Sequence, residues 1–178
     1  MEYRNHFYIT LFSNASQKLH PDHTLAECTI KLAQRIDLGS TDNWDVGLCK
    51  FSCPPPLRSS NKKPVDVIGE TNAMVYCDLI TPPFVGSNYV RCLRTFIHAS
   101  KLCDYAFHNV YYVPVEKRTF QDMSILIKDL SGKHITFRSG TVPTKVVLHF
   151  RRLYTTSSHP TVISNNGPPC PILPPTGR

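Results

Sequence analysis

Seven cysteines and eight histidines in 178 residues make a Cys–His nucleophile the first chemistry to weigh. A reactive thiolate needs exposed backbone amides, a helix N-terminus or a neighbouring cation to lower its pKa, features found where a Gly-rich turn opens a helix. None of Cys28, Cys49, Cys53, Cys77, Cys92, Cys103 and Cys170 sits in such a turn. Most lie in apolar, strand-like runs, where cysteine behaves as a small, reduced, buried residue. Metal binding is the second possibility, through Cys49-x3-Cys53 or His20-x2-His23. Each pair supplies two ligands, but a structural zinc site needs four and usually repeats its paired spacing. On a strand, Cys49 and Cys53 are expected to share a face, which suits two small apolar residues equally well.

There is no Gly-rich phosphate loop, Gly-x-Ser-x-Gly elbow or His-Glu-x-x-His, and the thirteen carboxylates form no evident pair for glycosidic chemistry. An ordinary hydrolase is therefore not expected, and a structural zinc site is disfavoured. A cysteine hydrolase remains as a contrary hypothesis. It predicts one thiol that reacts selectively with iodoacetamide near neutral pH, and uniformly slow labelling would dispose of it.

The net charge of +7 favours an acidic partner, either nucleic acid or the negative face of a neighbouring subunit. Lys62, Lys63, Arg91, Arg94, Lys101, Lys117, Arg118, Lys145, Arg151 and Arg152 are interleaved with Tyr89, Tyr111, Tyr112 and Tyr154. Cations beside aromatic faces are what single strands stack on. The reading preferred here is plainer: the tyrosines pack between sheets or against a neighbour, and the basic residues form a solvated rim.

Positioning these groups falls to strands. Hydrophobic alternation of period two recurs along the chain, and no stretch keeps a 3.6-residue period over a dozen residues. In the first strand, Phe7, Ile9 and Leu11 share one face while Tyr8, Thr10 and Phe12 share the other. Seven more are expected at Leu25 to Leu32, Trp44 to Phe51, Ala73 to Ile80, Tyr89 to Phe96, Tyr105 to Val113, Met123 to Leu130 and Lys145 to Leu153. His20-Pro21-Asp22-His23, Pro54-Pro55-Pro56, Pro82-Pro83 and Ser131-Gly132-Lys133 punctuate them. Short helices are expected over His98 to Asp104 and Glu116 to Gln121. Eight strands joined mostly by longer connections suit a jelly roll better than a meander. The fold class is thus all-β: a single eight-stranded jelly-roll β-sandwich over 1–154 with an extended Pro-rich C-terminal arm.

Within that domain, 52–71 is rich in Pro, Ser and Lys and reads as a surface excursion. The arm, 155–178, cannot enter the middle of a sheet because proline lacks a backbone donor, yet it is suited to lying along another surface. Apolar stretches such as Val142 to Phe150 fall far short of the roughly 20 residues that span a bilayer, so no membrane-spanning segment is expected. The alternating N-terminus reads as fold and not as a signal peptide.

VEKRTFQDM, running from Val115 to Met123, and PTKVVLHFRR, from Pro143 to Arg152, resemble the minor capsid (penton) protein of polintons (Mavericks) and adintovirus-like elements. The runs Asn5 to Gln17, Leu19 to Leu38 and Trp44 to Phe51 look like that family's opening strands in the same order. The resemblance implies a structural protein, with no cofactor and no catalysis, whose jelly roll forms homo-pentamers at the vertices of an icosahedral virion, beside a major capsid protein of the double jelly-roll type. Non-specific contact with packaged DNA is a further expectation. Reduced thiols point to assembly inside a host cell. Residues expected at the partner interface are Glu116, Lys117, Arg118, Phe120, Arg151 and Arg152. Lys117 and Arg118 would bridge to a neighbour's carboxylates with Phe120 wedged beneath. An alternative from a different class is a jelly-roll binding module for carbohydrate or single-stranded nucleic acid, using exposed aromatics as its contact surface.

Overall fold

The computed structural model describes residues 5–40, 42–55, 71–85, 88–98, 103–137 and 142–153. The arm beyond Leu153, nearly all of the excursion, and Lys62, Lys63, Lys101 and Tyr154 lie outside the described residues.

Eleven strands are found, and no helix, among the described residues. They are β1 (His6–Phe12), β2 (Glu27–Asp37), β3 (Asn43–Cys53), β4 (Thr71–Cys77), β5 (Phe84–Val85), β6 (Asn88–Tyr89), β7 (Cys92–His98), β8 (Cys103–Ala106), β9 (Tyr112–Pro114), β10 (Thr119–Asp129) and β11 (Lys145–Leu153). One sheet has the order β1-β11-β3-β8, with β9 also pairing β3, and the other has β2-β10-β4-β7. All pairings are antiparallel. The chain passes from one large sheet to the other at every step but two. From β4 to β7, where the small β5–β6 hairpin intervenes, it stays in the second sheet, and β8 and β9 both pair with β3 in the first. That winding is a jelly roll.

The core lies between the sheets because alternate residues point inward. From the first sheet come Ile9, Leu11, Val46, Leu48, Phe51, Val146, Leu148 and Phe150; from the second come Cys28, Ile30, Val75, Met123, Ile125, Ile127 and Leu93. Burying each large apolar side chain is worth roughly 1.5–3 kcal/mol, so this layer supplies the drive to fold. Phe150 stacks on Phe7 with ring centroids 4.7 Å apart, and Phe7 leans on Trp44. The Trp44 indole N–H donates to the Leu38 carbonyl at 2.9 Å, satisfying its one polar atom inside the core.

Three expectations change. Cys49 and Cys53 face opposite ways, because Leu48 and Lys50 pair with the consecutive residues Leu148 and Val147. Cys49 is therefore a bulge residue and shifts the alternation by one, placing Leu48 and Phe51 both inward. Tyr105 to Val113 is split into β8 and β9, and Phe107 N–H between them donates to the Cys49 carbonyl at 2.8 Å. Glu116 to Gln121 is no helix. Both Glu116 and Lys117 amides donate to the Leu79 carbonyl, Val115 bridges to Ile80, and strand begins at Thr119. Of the other expected helix, His98 closes β7 and Cys103 opens β8, while 99–102 lie outside the described residues.

Candidate assembly surface

The bend between β9 and β10 and the end of β11 carry the residues expected to meet a partner. Phe120 is the clearest departure. It is buried, belongs to the core and lies nearly parallel to Phe150 with centroids 6.0 Å apart. The parity of β10 forces this, since Phe120, Met123, Ile125 and Ile127 fall on one face once the bulge after Phe120 is counted. It supports the bend from within and is not a wedge at the surface.

Glu116 and Lys117 join a network centred on Asp78. Lys117 Nζ meets Asp78 Oδ2 at 2.5 Å, and the Ser124 amide donates to Asp78 Oδ1 at 2.8 Å. Arg91 donates to the Asp78 carbonyl at 3.0 Å and pairs with Glu116 at 2.6 Å. Asp78 thus ties the β4–β5 connection to β10 and to the bend. The two contacts from the Ser124 amide and from Arg91 to the Asp78 carbonyl are half-buried, and the ion pairs, being more exposed, add little each.

Arg118 and Arg152, distant in sequence, converge on the β2–β3 loop. Arg118 Nη1 donates to the carbonyls of Ser40 and Asp42 at 2.8 and 2.6 Å, while Arg152 Nη2 pairs with Asp42 Oδ1 at 2.5 Å. One short loop is held by two guanidinium groups, which suits Arg because its planar fork presents several fixed donors. Lys117, Arg118 and Arg152 therefore meet carboxylates and carbonyls of their own chain.

Arg151 lies on the outer face of the first sheet, in a different setting. Its guanidinium pairs with Asp45 Oδ2 at 3.0 Å and lies over the Tyr112 ring, 3.7 Å from the centroid. Next to it the registers align Tyr8, His149, Gly47 and Tyr112 in one row across β1, β11, β3 and β9. Tyr8 stacks on His149 at 4.4 Å, and the Tyr112 hydroxyl and His149 Nδ1 share a hydrogen bond of 2.7 Å. His149 Nε2 is buried with no hydrogen-bond partner among the described residues. Burial, helped by His6 and Arg151, pushes the His149 pKa down from its ordinary value. The row closes because Gly47 lacks a side chain: a Cβ there would press on Val110 Cγ1 and lie 2.8 Å from the Tyr111 carbonyl oxygen. Sequence reading misses this row. Its signal, the alternation His6, Tyr8 on β1 and His149, Arg151 on β11, is visible only once the pairing of β1 with β11 is known.

Four of the described thiols sit in the opposite chemical environment from a nucleophile's. Burial pushes Cys77 up to about 12 and Cys28 up to about 11, and it raises Cys49 and Cys92 as well. His20 and His23 stack at 4.5 Å, and the Thr29 amide donates to His23 Nε2 at 3.2 Å. Among the described residues no group of three or more His, Cys, Asp or Glu could hold a metal ion. No helix long and apolar enough to cross a membrane occurs among them either.

The architecture has a counterpart among solved structures. The crystal structure of the selenomethionine-labelled mavirus penton protein matches with a TM-score of 0.60, covering 83% of this chain and 100% of that one. The two chains share one fold. Sequence identity across the match is 6%, so the likeness resides in strand order and winding. No family model and no curated protein matches the sequence.

Proposed function

We propose that this chain is a structural minor capsid protein of the penton type, five copies of which ring a vertex of an icosahedral shell. The observation that carries the reading is the shared fold, which extends over the whole of the mavirus penton chain. The two runs that resemble polinton pentons add to it, since they form the bend with the start of β10 and almost the whole of β11. These are the elements that place Arg118 and Arg152 on the β2–β3 loop. A ring requires two different patches that meet head to tail. Glu116, Lys117, Arg118, Arg151 and Arg152 serve one patch by fixing the shape of the bend and the neighbouring loop, with Phe120 as the support beneath. A double jelly-roll major capsid protein surrounds the ring in this reading, and the protein resides in the virion after assembly inside a host cell. The net charge of +7 suits loose contact with packaged DNA.

The test is the solution mass by light scattering behind a sizing column, at several concentrations and two salt levels. A discrete pentamer supports the vertex role. A monomer at every concentration that also fails to join a double jelly-roll shell protein would overturn it.

A further inference from the structure

We propose that the aromatic row of Tyr8, His149 and Tyr112 is a docking site for the chain's own C-terminal segment, Pro168 to Pro175, folded back as a polyproline II helix. The docking lies within one chain and holds whatever the oligomeric state, so it stands apart from the vertex reading.

The first argument is spacing. Pro168, Pro171 and Pro174 recur every third residue. A polyproline II helix has three residues per turn, so these three prolines lie along one edge. Because their φ angles are already fixed, ordering the segment costs little entropy. The second argument is the complementary surface, since proline-rich segments dock in aromatic-lined grooves. Tyr8 is 58% exposed, and the two tyrosine rings flank His149 at 4.4 and 5.7 Å. Their separation is therefore at most about 10 Å, so roughly one 9 Å polyproline turn is enough to reach from one ring to the other. The rings are held in place by the Tyr112–His149 hydrogen bond and by Arg151.

The third argument is reach. β11, which carries His149, ends at Leu153, and the tail continues directly from it. Four residues of strand separate the two positions, about 13 Å. Fourteen residues, 154–167, separate Leu153 from Pro168, and a coil of that length would have a root-mean-square span of about 20 Å. A linker whose span is near the distance to be bridged gives a high effective concentration. Asn165-Asn166-Gly167, just before the first of these prolines, is turn chemistry that lets the chain reverse. Finally, from Tyr154 to Gly177 there is no Asp, Glu, Lys or Arg. Such a segment has nothing to offer the ion-paired surfaces around Asp78 and Asp42, and its natural partner is the aromatic row.

The experiment replaces Tyr8 with the photo-crosslinking residue p-benzoylphenylalanine in the full chain, irradiates it in dilute solution and maps the adducts by mass spectrometry. Adducts to 168–175 within a single chain are expected. They should fall about tenfold in the variant carrying Pro168→Ala, Pro171→Ala and Pro174→Ala, as docking of a less pre-organised segment weakens. The same probe at Phe84, in the β5–β6 hairpin outside both large sheets, should give no such enrichment. Unchanged circular dichroism checks that every variant is folded. Adducts that join two chains would show docking on a second copy, adducts to co-purified nucleic acid would show a different occupant, and equal yields from the Pro and Ala forms would show chance contact. Each of these overturns the proposal.

Discussion

Inward, β11 presents Val146, Leu148 and Phe150; outward, the same nine residues present Lys145, Val147, His149 and Arg151. The inner set is apolar, fully covered and interchangeable in kind, because burial rewards size and fit and asks little else. The outer set is individual. His149 is wedged among Tyr8, His6 and Tyr112, and Arg151 bridges Asp45 and the Tyr112 ring. One face stabilises the fold through area, whereas the other commits geometry to a particular surface.

Breaking the inner face should have the largest effect. Phe150→Ala removes a fully buried ring that contacts Phe7 and Phe120, and should cost about 3–5 kcal/mol in a denaturant titration. If it cost no more than any outer-face change, the division of labour between the faces would be wrong. On the outer face the most damaging single methyl should be Gly47→Ala. The new Cβ would meet the Tyr111 backbone and force β9 and its approach away from β3, at about 1–3 kcal/mol. The measurement that sharpens the comparison is hydrogen exchange of β9 amides, which should quicken while β10 amides do not. Tyr112→Phe should cost less, about 0.5–1.5 kcal/mol by thermal unfolding, since it deletes only the hydroxyl hydrogen-bonded to His149 Nδ1.

How much of this is legible in the sequence depends on range. The alternation in β1 and β11 gives their faces correctly, because each is regular over its whole length. β2 and the β8–β9 region differ from the expected strands in extent. In β2, Lys31 and Ile36 pair across from Asp122 and Phe120, so residues 32–35 oppose only one residue and break the period-two pattern. The split between β8 and β9 is set by the Cys49 bulge on the partner strand, which nothing local to Tyr105 to Val113 announces. The same bulge undoes the expectation for Cys49 and Cys53. Charged residues at the bend are found by type, but their partners Asp42 and Asp78 lie about 40 to 110 residues away in the chain. Pairing of that range follows from topology, which local patterns do not encode. Phe120 reads as an anchor wedged beneath Lys117 and Arg118 at a partner interface; the strand that starts at Thr119 turns it into this chain's own core.

The gentlest probe of the outer face is pH. His149 has its pKa pushed down in the folded chain, chiefly by burial and then by His6 and Arg151. The unfolded chain therefore binds a proton on this residue more readily than the folded one, and stability falls as the unfolded state gains that proton. The contribution is fully present above the ordinary histidine value of 6.5 and is lost as pH drops below it towards the lowered folded value. His23, also pushed down by burial, acts in the same direction. The expected outcome is a shallow decline in melting temperature between about pH 7 and pH 5, reduced in His149→Phe, which keeps the stacking on Tyr8 but cannot titrate. If the slope is the same with phenylalanine in place, the outer row behaves as inert packing, and its difference from the inner face is one of exposure alone.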